Sequence, residues 1–372
     1  LDQIILILWP YFVGHTLYDK IAAPVIANVE FKARVAVQKA YRERANHSRG
    51  VKMSFAEKMS GPMIRGIDQL EDELAKNDQA IQPTGESPIR FEIMRETAKR
   101  GRGGPPARMM PIMVPTVLGI RKSLKSLRDN PTQPKRQIDR ELLEDLEAYV
   151  LKLGASSVGY TKVPRRWVFQ NKAILYQNAI ILSMEMDKEG IDTAPSLACM
   201  TTVMEIYRDL GKIANQAADF LRQRGFGAHA GHPLMGMALY PPLAQMAGLG
   251  WIGLNGIIIT PEHGPRVRLA AVFTSIENLP FSTANDHQWV ADYCDICRRC
   301  IRECPPKALY DTPIDHENGQ ITYVDNDLCF PYFSDYYGCS VCIRVCPFNN
   351  IAYGKLKEQF LKARERVAVH GN

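Results

Sequence analysis

Eight of the nine cysteines in this chain of 372 residues fall between Cys294 and Cys346, and only Cys199 stands apart. A chain of this size, 46% hydrophobic, can bury a core without covalent staples, so the clustered thiols need another explanation. The run "CDICRRCIRECP" reads C-x2-C-x2-C-x3-C-P through Cys294, Cys297, Cys300 and Cys304. That is the bacterial ferredoxin spacing, in which three thiolates grip one iron–sulfur cube and the fourth reaches across to a second. A zinc site instead pairs C-x2-C with a distant pair of Cys or His. The second run, "CSVCIRVCP", repeats the tail with Cys339, Cys342 and Cys346 but lacks a cysteine three residues earlier, a place Cys329 can fill. Crossing the fourth ligands predicts one 4Fe-4S cluster on Cys294, Cys297, Cys300 and Cys346, and another on Cys304, Cys329, Cys339 and Cys342. Disulfides fit such local spacing poorly.

Two interlocked clusters form a short electron wire, which serves some further centre. Cluster assembly needs reduced thiols, which predicts the cytoplasm or the cytoplasmic side of a membrane. No twin-arginine export signal occurs in the residues given, but the chain starts at Leu1 rather than Met, so export stays open. The first residues carry the apolar run "IILILWPYFVG" (Ile4 to Gly14), too short alone for the roughly 20 residues a span requires. Behind it come Lys32, Arg34, Lys39, Arg42, Arg44, Arg49 and Lys52, against Glu30 and Glu43. Either a membrane span ends here with its basic cytoplasmic flank, or a buried helix is followed by a solvated basic one. Overall, 46 basic and 40 acidic residues give no argument for nucleic acid as a partner.

Punctuation divides the rest. Residues 53–100 read as polar and mostly helical, "GRGGPPARMMPIMVP" (Gly101 to Pro115) as a loop, and "RDNPTQPKRQ" (Arg128 to Gln137) as a break before a domain starting near Ile138. Leu142, Leu143, Leu146, Val150 and Leu153 recur at helical spacing and Gly154 can close the helix. "NAIILSM" (Asn178 to Met184) predicts a strand covered on both faces. A long amphipathic helix follows, from a cap at Ser196 to Gly225. Then come a short strand in "FGAHA", a helix in "PLAQMAGLG", and strands in "GIIIT" and "VRLAAVFT" joined by "PEHGP" as a hairpin turn. The tail after residue 352 reads as a polar helix.

"GLGWIG" satisfies G-x-G-x-x-G, but a dinucleotide fingerprint needs a strand before it and a helix after it, and here the order is reversed. Gly248, Gly250 and Gly253 instead let backbone approach a flat ligand or a neighbouring strand.

The order "QNAIILSMEMDKEGIDTAPS", "PPLAQMAGLGWIGLNGIIITPEHGPRVRLAAVFT" and then the eight cysteines resembles the corrinoid-dependent reductive dehalogenases and the epoxyqueuosine reductases, over roughly residues 138–352. The resemblance implies a nitroreductase-like cobalamin-binding core (138–285) and a ferredoxin-like domain with two 4Fe-4S clusters (286–352); with the apolar then basic segment (1–52), the helical extension (53–137) and the tail helix (353–372) read from the residues themselves, an α+β chain is expected. It implies an oxidoreductase that uses electrons from a donor protein or membrane redox partner to cleave a carbon–halogen or similar bond in a small organic substrate. Tyr207 matches a proton-donor tyrosine, with Arg266 or Arg268 as the cation beside it; otherwise Tyr207 is an ordinary helix-face aromatic. Gly248, Gly250, Trp251, Gly253 and Asn255, with His232 and Tyr240, are the candidates for the corrinoid pocket, although His229 and His232 without a third ligand equally suit a structural role.

The departures matter too. Leu254 stands where dehalogenases often have Arg and epoxyqueuosine reductases Lys. The acidic proton donor of epoxyqueuosine reductases is missing, which argues against that reaction. Lys188, counted among the candidate catalytic residues, replaces a common tyrosine. The alternative is an electron-transfer or structural subunit of a membrane-associated complex that keeps the clusters without cobalamin.

Overall fold

Six strands organise the first part of the chain: β1 (Ser157–Lys162), β2 (Asn178–Glu185), β3 (Ala228–Gly231), β4 (Trp251–Ile252), β5 (Ile258–Ile259) and β6 (Val267–Thr274). The structure is a computed structural model and describes residues 66–67, 69–84, 107–170 and 172–370. The apolar segment Ile4–Gly14 and the basic stretch Lys32–Lys52 lie outside the described residues. Among the described residues no helix is long and apolar enough to cross a membrane.

Four of the strands form an antiparallel sheet in the order β1-β2-β6-β3. Successive side chains on a strand face opposite ways, and both faces here are buried. On one face Ile180, Leu182, Ala270 and Val272 pack with Leu143, Leu146 and Val150 of α2 (Arg140–Lys152) and Leu210, Ile213 and Ala217 of α4 (Leu197–Arg222). On the other, Ala179, Ile181, Ala271 and Phe273 meet Ile120 and Leu124 of α1 (Met110–Lys125) and Leu243 and Ala244 of α5 (Tyr240–Met246). The result is a helix–sheet–helix sandwich, and the unbroken apolar runs of β2 and β6 follow from that double cover. A one-turn helix, α3 (Lys188–Asp192), links β2 to α4.

The helix ends are set locally. Ser196 Oγ accepts the Cys199 N–H at 3.1 Å, capping α4. Gly225, at φ +87°, takes the left-handed conformation that ends it, and Gly154, at φ +111°, does the same for α2.

Four expectations need correction. Most of Gly101–Pro115 that is described is not loop: α1 starts at Met110. Pro111 sits in the first turn, where its missing N–H has no partner in any helix. Pro115 removes one bond, and the helix is held by apolar packing of Met109 and Ile112 against Met204 of α4. Second, the core does not begin at residue 138, because Ile67, Leu74, Ile120 and Leu124 join the same cluster as Ile181 and Phe273. Third, "PEHGP" is not a β5–β6 hairpin. Thr260 and Gly264 close a tight loop on themselves, while β5 pairs with β4, and β6 with β2 and β3. Fourth, the strand in "GIIIT" is only two residues long.

Short elements carry the cysteines: α6 (Trp289–Cys297), α7 (Arg299–Glu303), the antiparallel pair β7 (Leu309–Asp315) and β8 (Ile321–Val324), α8 (Asn326–Asp335), α9 (Val341–Arg344), α10 (Pro347–Asn350) and the tail helix α11 (Tyr353–His370). Phe360 and Leu356 fix α11 against Trp289.

A close approach offers a test of the sandwich. A Cβ added at Gly211 of α4 would lie 2.0 Å from His232 Nε2. Gly211→Ala is expected to lower stability by about 1–3 kcal/mol, the usual cost of overpacking, read as a lower midpoint in urea denaturation.

Candidate metal centres

Four of the eight cysteines meet at one cavity. One cavity is lined by Cys294, Cys297, Cys300 and Cys346, with Tyr293, Arg298, Pro347 and Phe348. Cys346 therefore faces the first run, although Cys339 and Cys342 are its neighbours in sequence. The remaining thiols gather in an adjoining cluster that Cys294 and Cys300 also touch. Cys304 is buried in one apolar cluster with Leu254, Ile301 and Leu328, against which Cys329 and Cys342 also pack. Cys339 completes this set electrostatically, since it and Cys304 both act on the Cys329 thiol.

Backbone shape brings the thiols inward. Arg298, between Cys297 and Cys300, has φ +47°, and Cys339 and Ser340 have φ +45° and +65°. Left-handed backbone is costly for residues other than glycine and collects at functional turns. Backbone N–H groups also point at sulfur. The Cys294 sulfur accepts from Leu254, that of Cys339 from Val341 and that of Cys346 from Phe348, and Ala308 N–H lies 3.4 Å from Cys304 Sγ.

Such donors favour thiolates, yet burial opposes them more strongly. Burial first, and then neighbouring thiols, push Cys294 up to about 12, Cys300 to about 11 and Cys329 to about 12. Cys342 and Cys346 are also pushed well up, for the same reasons. A bound metal cation would offset that cost and stabilise thiolates. Among the described residues no group of His, Cys, Asp and Glu is placed to hold a metal ion, whereas the four thiols of the first set surround a cavity. A cube has the second requirement, because its thiolates bind separate corners. A single zinc needs every sulfur about 2.3 Å from one point.

Two neighbours of the thiols escaped the sequence reading. Leu254 is buried against Cys294, Cys300, Cys304, Cys329 and Cys342, so it occupies apolar space shared by both sets. Trp289, Tyr293, Phe348, Tyr353 and Phe360 make a box of ring contacts, 4.9 to 6.2 Å between centroids, behind the first cavity. Only the aromatic content of "WVADYC" and "CPFNNIAYGKLKEQF" could have signalled it.

Upstream, the candidates separate. Tyr207 lies half-buried on α4 among Met113, Leu197, Met200 and Leu234, and the Arg268 guanidinium stands 5.1 Å from its ring centre. Arg268, rather than Arg266, is the cation beside it. Arg266 is committed elsewhere, its Nη1 donating to the Glu185 carboxylate and, at 3.3 Å, to Met186 O. The Lys188 ammonium pairs with Asp192 and reaches Asn350 Oδ1 at 3.1 Å on an exposed face. Cys199 is buried, as expected of a small apolar residue, and burial pushes its thiol up.

The residues expected around a corrinoid do not form an open cradle. The space beside Gly250 is filled by Ile259 O, 2.2 Å from a hypothetical Cβ, so this glycine serves the β4–β5 approach. Ser282 Oγ fills the space beside Gly248, and the Ile259 side chain, Asn255 Oδ1 and Cys294 Sγ that beside Gly253. Trp251 packs in the aromatic cluster with Trp289. Asn255 is buried, with its Nδ2 3.4 Å from Cys342 O. Tyr240 and His232 lie in the core, and the Tyr240 hydroxyl donates to His232 O at 3.4 Å. Burial depresses His232 to about 4 and, with Arg222 as a lesser cause, His229 to about 3, so both are neutral at ordinary pH. Gly248, Gly250 and Gly253 thus face protein atoms, while His229 Nδ1 and Nε2 and His232 Nε2 are buried without a hydrogen-bond partner.

No protein-family model matches the chain. A tetrachloroethene reductive dehalogenase of Sulfurospirillum multivorans is 34% identical over 183 residues, 46% of this chain and 36% of that protein. One from Desulfitobacterium hafniense is 31% identical over 216 residues, 53% of this chain and 37% of its own length. The chain thus spans little more than a third of these relatives. An epoxyqueuosine reductase of Gloeobacter violaceus is 25% identical over 252 residues, 64% of this chain and 77% of that enzyme. Among solved structures, a catabolic reductive dehalogenase in complex with 3-bromo-4-hydroxybenzoic acid superposes with a TM-score of 0.55 at 20% identity, covering 75% of this chain and 46% of the other. The chain is therefore a homologue of the reductive dehalogenases and epoxyqueuosine reductases, two groups of oxidoreductases, and has the reductive dehalogenase fold.

Proposed function

We propose that the chain is an iron–sulfur oxidoreductase of reductive dehalogenase type, in which two 4Fe-4S clusters deliver single electrons for reductive cleavage of a carbon–halogen or similar bond. The observation that carries this reading is the meeting of Cys346 with Cys294, Cys297 and Cys300 around one cavity, the crossed ligation that a pair of ferredoxin-type clusters requires. On this reading the helix–sheet–helix part is the nitroreductase-like core and the cysteine elements are the ferredoxin-like pair. Bound clusters supply one-electron carriers at low potential.

This chain's own residues do the rest. Backbone N–H groups of Leu254, Val341 and Phe348 donate to sulfur, and Leu254 with the aromatic box excludes water from the thiols. Tyr207 is the proton donor, with the Arg268 cation beside it. The second reading, an electron-transfer subunit without cobalamin, is favoured by the filled space around Gly248, Gly250 and Gly253 and by the buried His232 and Tyr240.

Cobalt content after anaerobic purification separates the two readings. Stoichiometric cobalt supports the corrinoid enzyme; iron without cobalt, and failed reconstitution with cobalamin, support the electron-transfer subunit. In the enzyme, Tyr207→Phe is expected to lower turnover of a halogenated organic substrate by roughly 10²–10⁴-fold, the contribution of a positioned acid. Iron content and reduction by dithionite should not change. Undiminished turnover removes Tyr207 from the mechanism.

The ligand assignment has its own test. Cys346→Ala is expected to abolish the paramagnetic resonance signal of the cluster held by Cys294, Cys297 and Cys300 and to leave the other. Loss of the signal from the set of Cys339 and Cys342 alone would show uncrossed ligation.

A further inference from the structure

We propose that the surface over the first thiol set docks a small acidic one-electron carrier protein, an inference that rests on that set holding a 4Fe-4S cluster. Ile296 lies between Cys294 and Cys297 on α6 and is 73% exposed, more than any other large hydrophobic side chain among the described residues. A single exposed apolar side chain means little by itself. Its surroundings give this one meaning.

On α6 and α7 the exposed charge is mixed, with Asp292, Asp295 and Glu303 beside the arginines, and the positive excess comes from α11. Arg299 and Arg302 are exposed on α7, and Arg298, which lines the cavity, reaches Asp311 only at 3.8 Å. On the other side, α11 is anchored to α6 by Phe360 against Trp289 and Tyr293 and by the Arg364–Asp292 pair at 2.5 Å. That helix carries Lys355, Lys357, Lys362, Arg364 and Arg366 against Glu358 and Glu365. An apolar point with a basic rim is the surface that a partner with an apolar centre and an acidic rim complements. The cavity lining includes Cys294 and Cys297, the cysteines on either side of Ile296, so a docked carrier meets the cluster edge without crossing the fold.

Charge decides the occupant. A second copy related by two-fold symmetry would set the same basic rim against itself, at a cost in like-charge repulsion. Nucleic acid would satisfy the arginines and leave Ile296 without an apolar partner. Transfer is simple in balance: the reduced carrier loses one electron and is oxidised, the cluster gains it and its formal charge falls by one unit, and no bond forms or breaks.

The test uses the full chain purified anaerobically, with a reduced acidic ferredoxin as the probe and cluster bleaching followed by stopped flow. For the unaltered chain, the second-order rate constant should fall steeply as salt rises. In the doubly substituted Arg299→Glu, Arg302→Glu chain it should fall at least tenfold and lose most of its salt dependence, and Ile296→Ser should slow it at any salt. The extent of reduction by dithionite and the iron content should match the unaltered chain in both variants. An unchanged rate with unchanged salt dependence in the charge-reversed variant overturns the proposal. So does a folded-RNA competitor that suppresses transfer in proportion to its own binding, which assigns the surface to nucleic acid. Failure of dithionite to bleach any cluster, seen before carrier is added, overturns the cluster reading beneath it.

Discussion

The arrangement depends on holding eight thiols in water-poor surroundings where each raises the cost of ionising the next. Burial is the first cause of the upward shift at Cys294, Cys300, Cys329, Cys342 and Cys346, and neighbouring thiols add to it. A charged sulfur there is unfavourable without a cation, and a neutral sulfur cannot act as a ligand. Iron as proposed would let both groups of thiols ionise and act as ligands. The left-handed backbone at Arg298, Cys339 and Ser340, costing of order 1–3 kcal/mol each, shapes the turns that hold them.

The rest of the fold serves this constraint at one place. The segment from Gly253 to Asn255 follows β4 and enters the cysteine region: Leu254 N–H donates to Cys294, its side chain lies against both sets, and Asn255 reaches Cys342 O. The sheet fixes that segment through α5 and the β4–β5 pair. Arg268 and Tyr207 connect the same sheet and the start of α4, near Cys199 and Ser340. The proposed route of electrons and the proposed proton donor therefore share one scaffold.

What the sequence could convey follows from range. Cysteine spacing is local and encodes its own geometry, so the pairing of Cys346 with the distant run was legible from "CDICRRCIRECP" and "CSVCIRVCP". β2, β6 and α4 were legible because double burial leaves unbroken apolar runs and because Ser196 and Gly225 mark the helix ends. α1 was not. Its prolines suggest a loop, and its stability comes from Met204 and the sheet, far away in the chain. His232 and Tyr240 misled for a similar reason: polar side chains near a glycine-rich motif resemble a ligand pocket, and only packing against Gly211 and Gly231 reveals them as core. Arg266 lies just before β6 and Arg268 within it, and the pairing of Arg266 with Glu185 leaves Arg268 over Tyr207.

The central claim is that the eight thiols hold two iron–sulfur cubes. Iron and acid-labile sulfide, counted per chain on anaerobically purified protein, test it most directly. The account predicts about eight of each, four for each cube. About four of each, or stoichiometric zinc without sulfide, would contradict it.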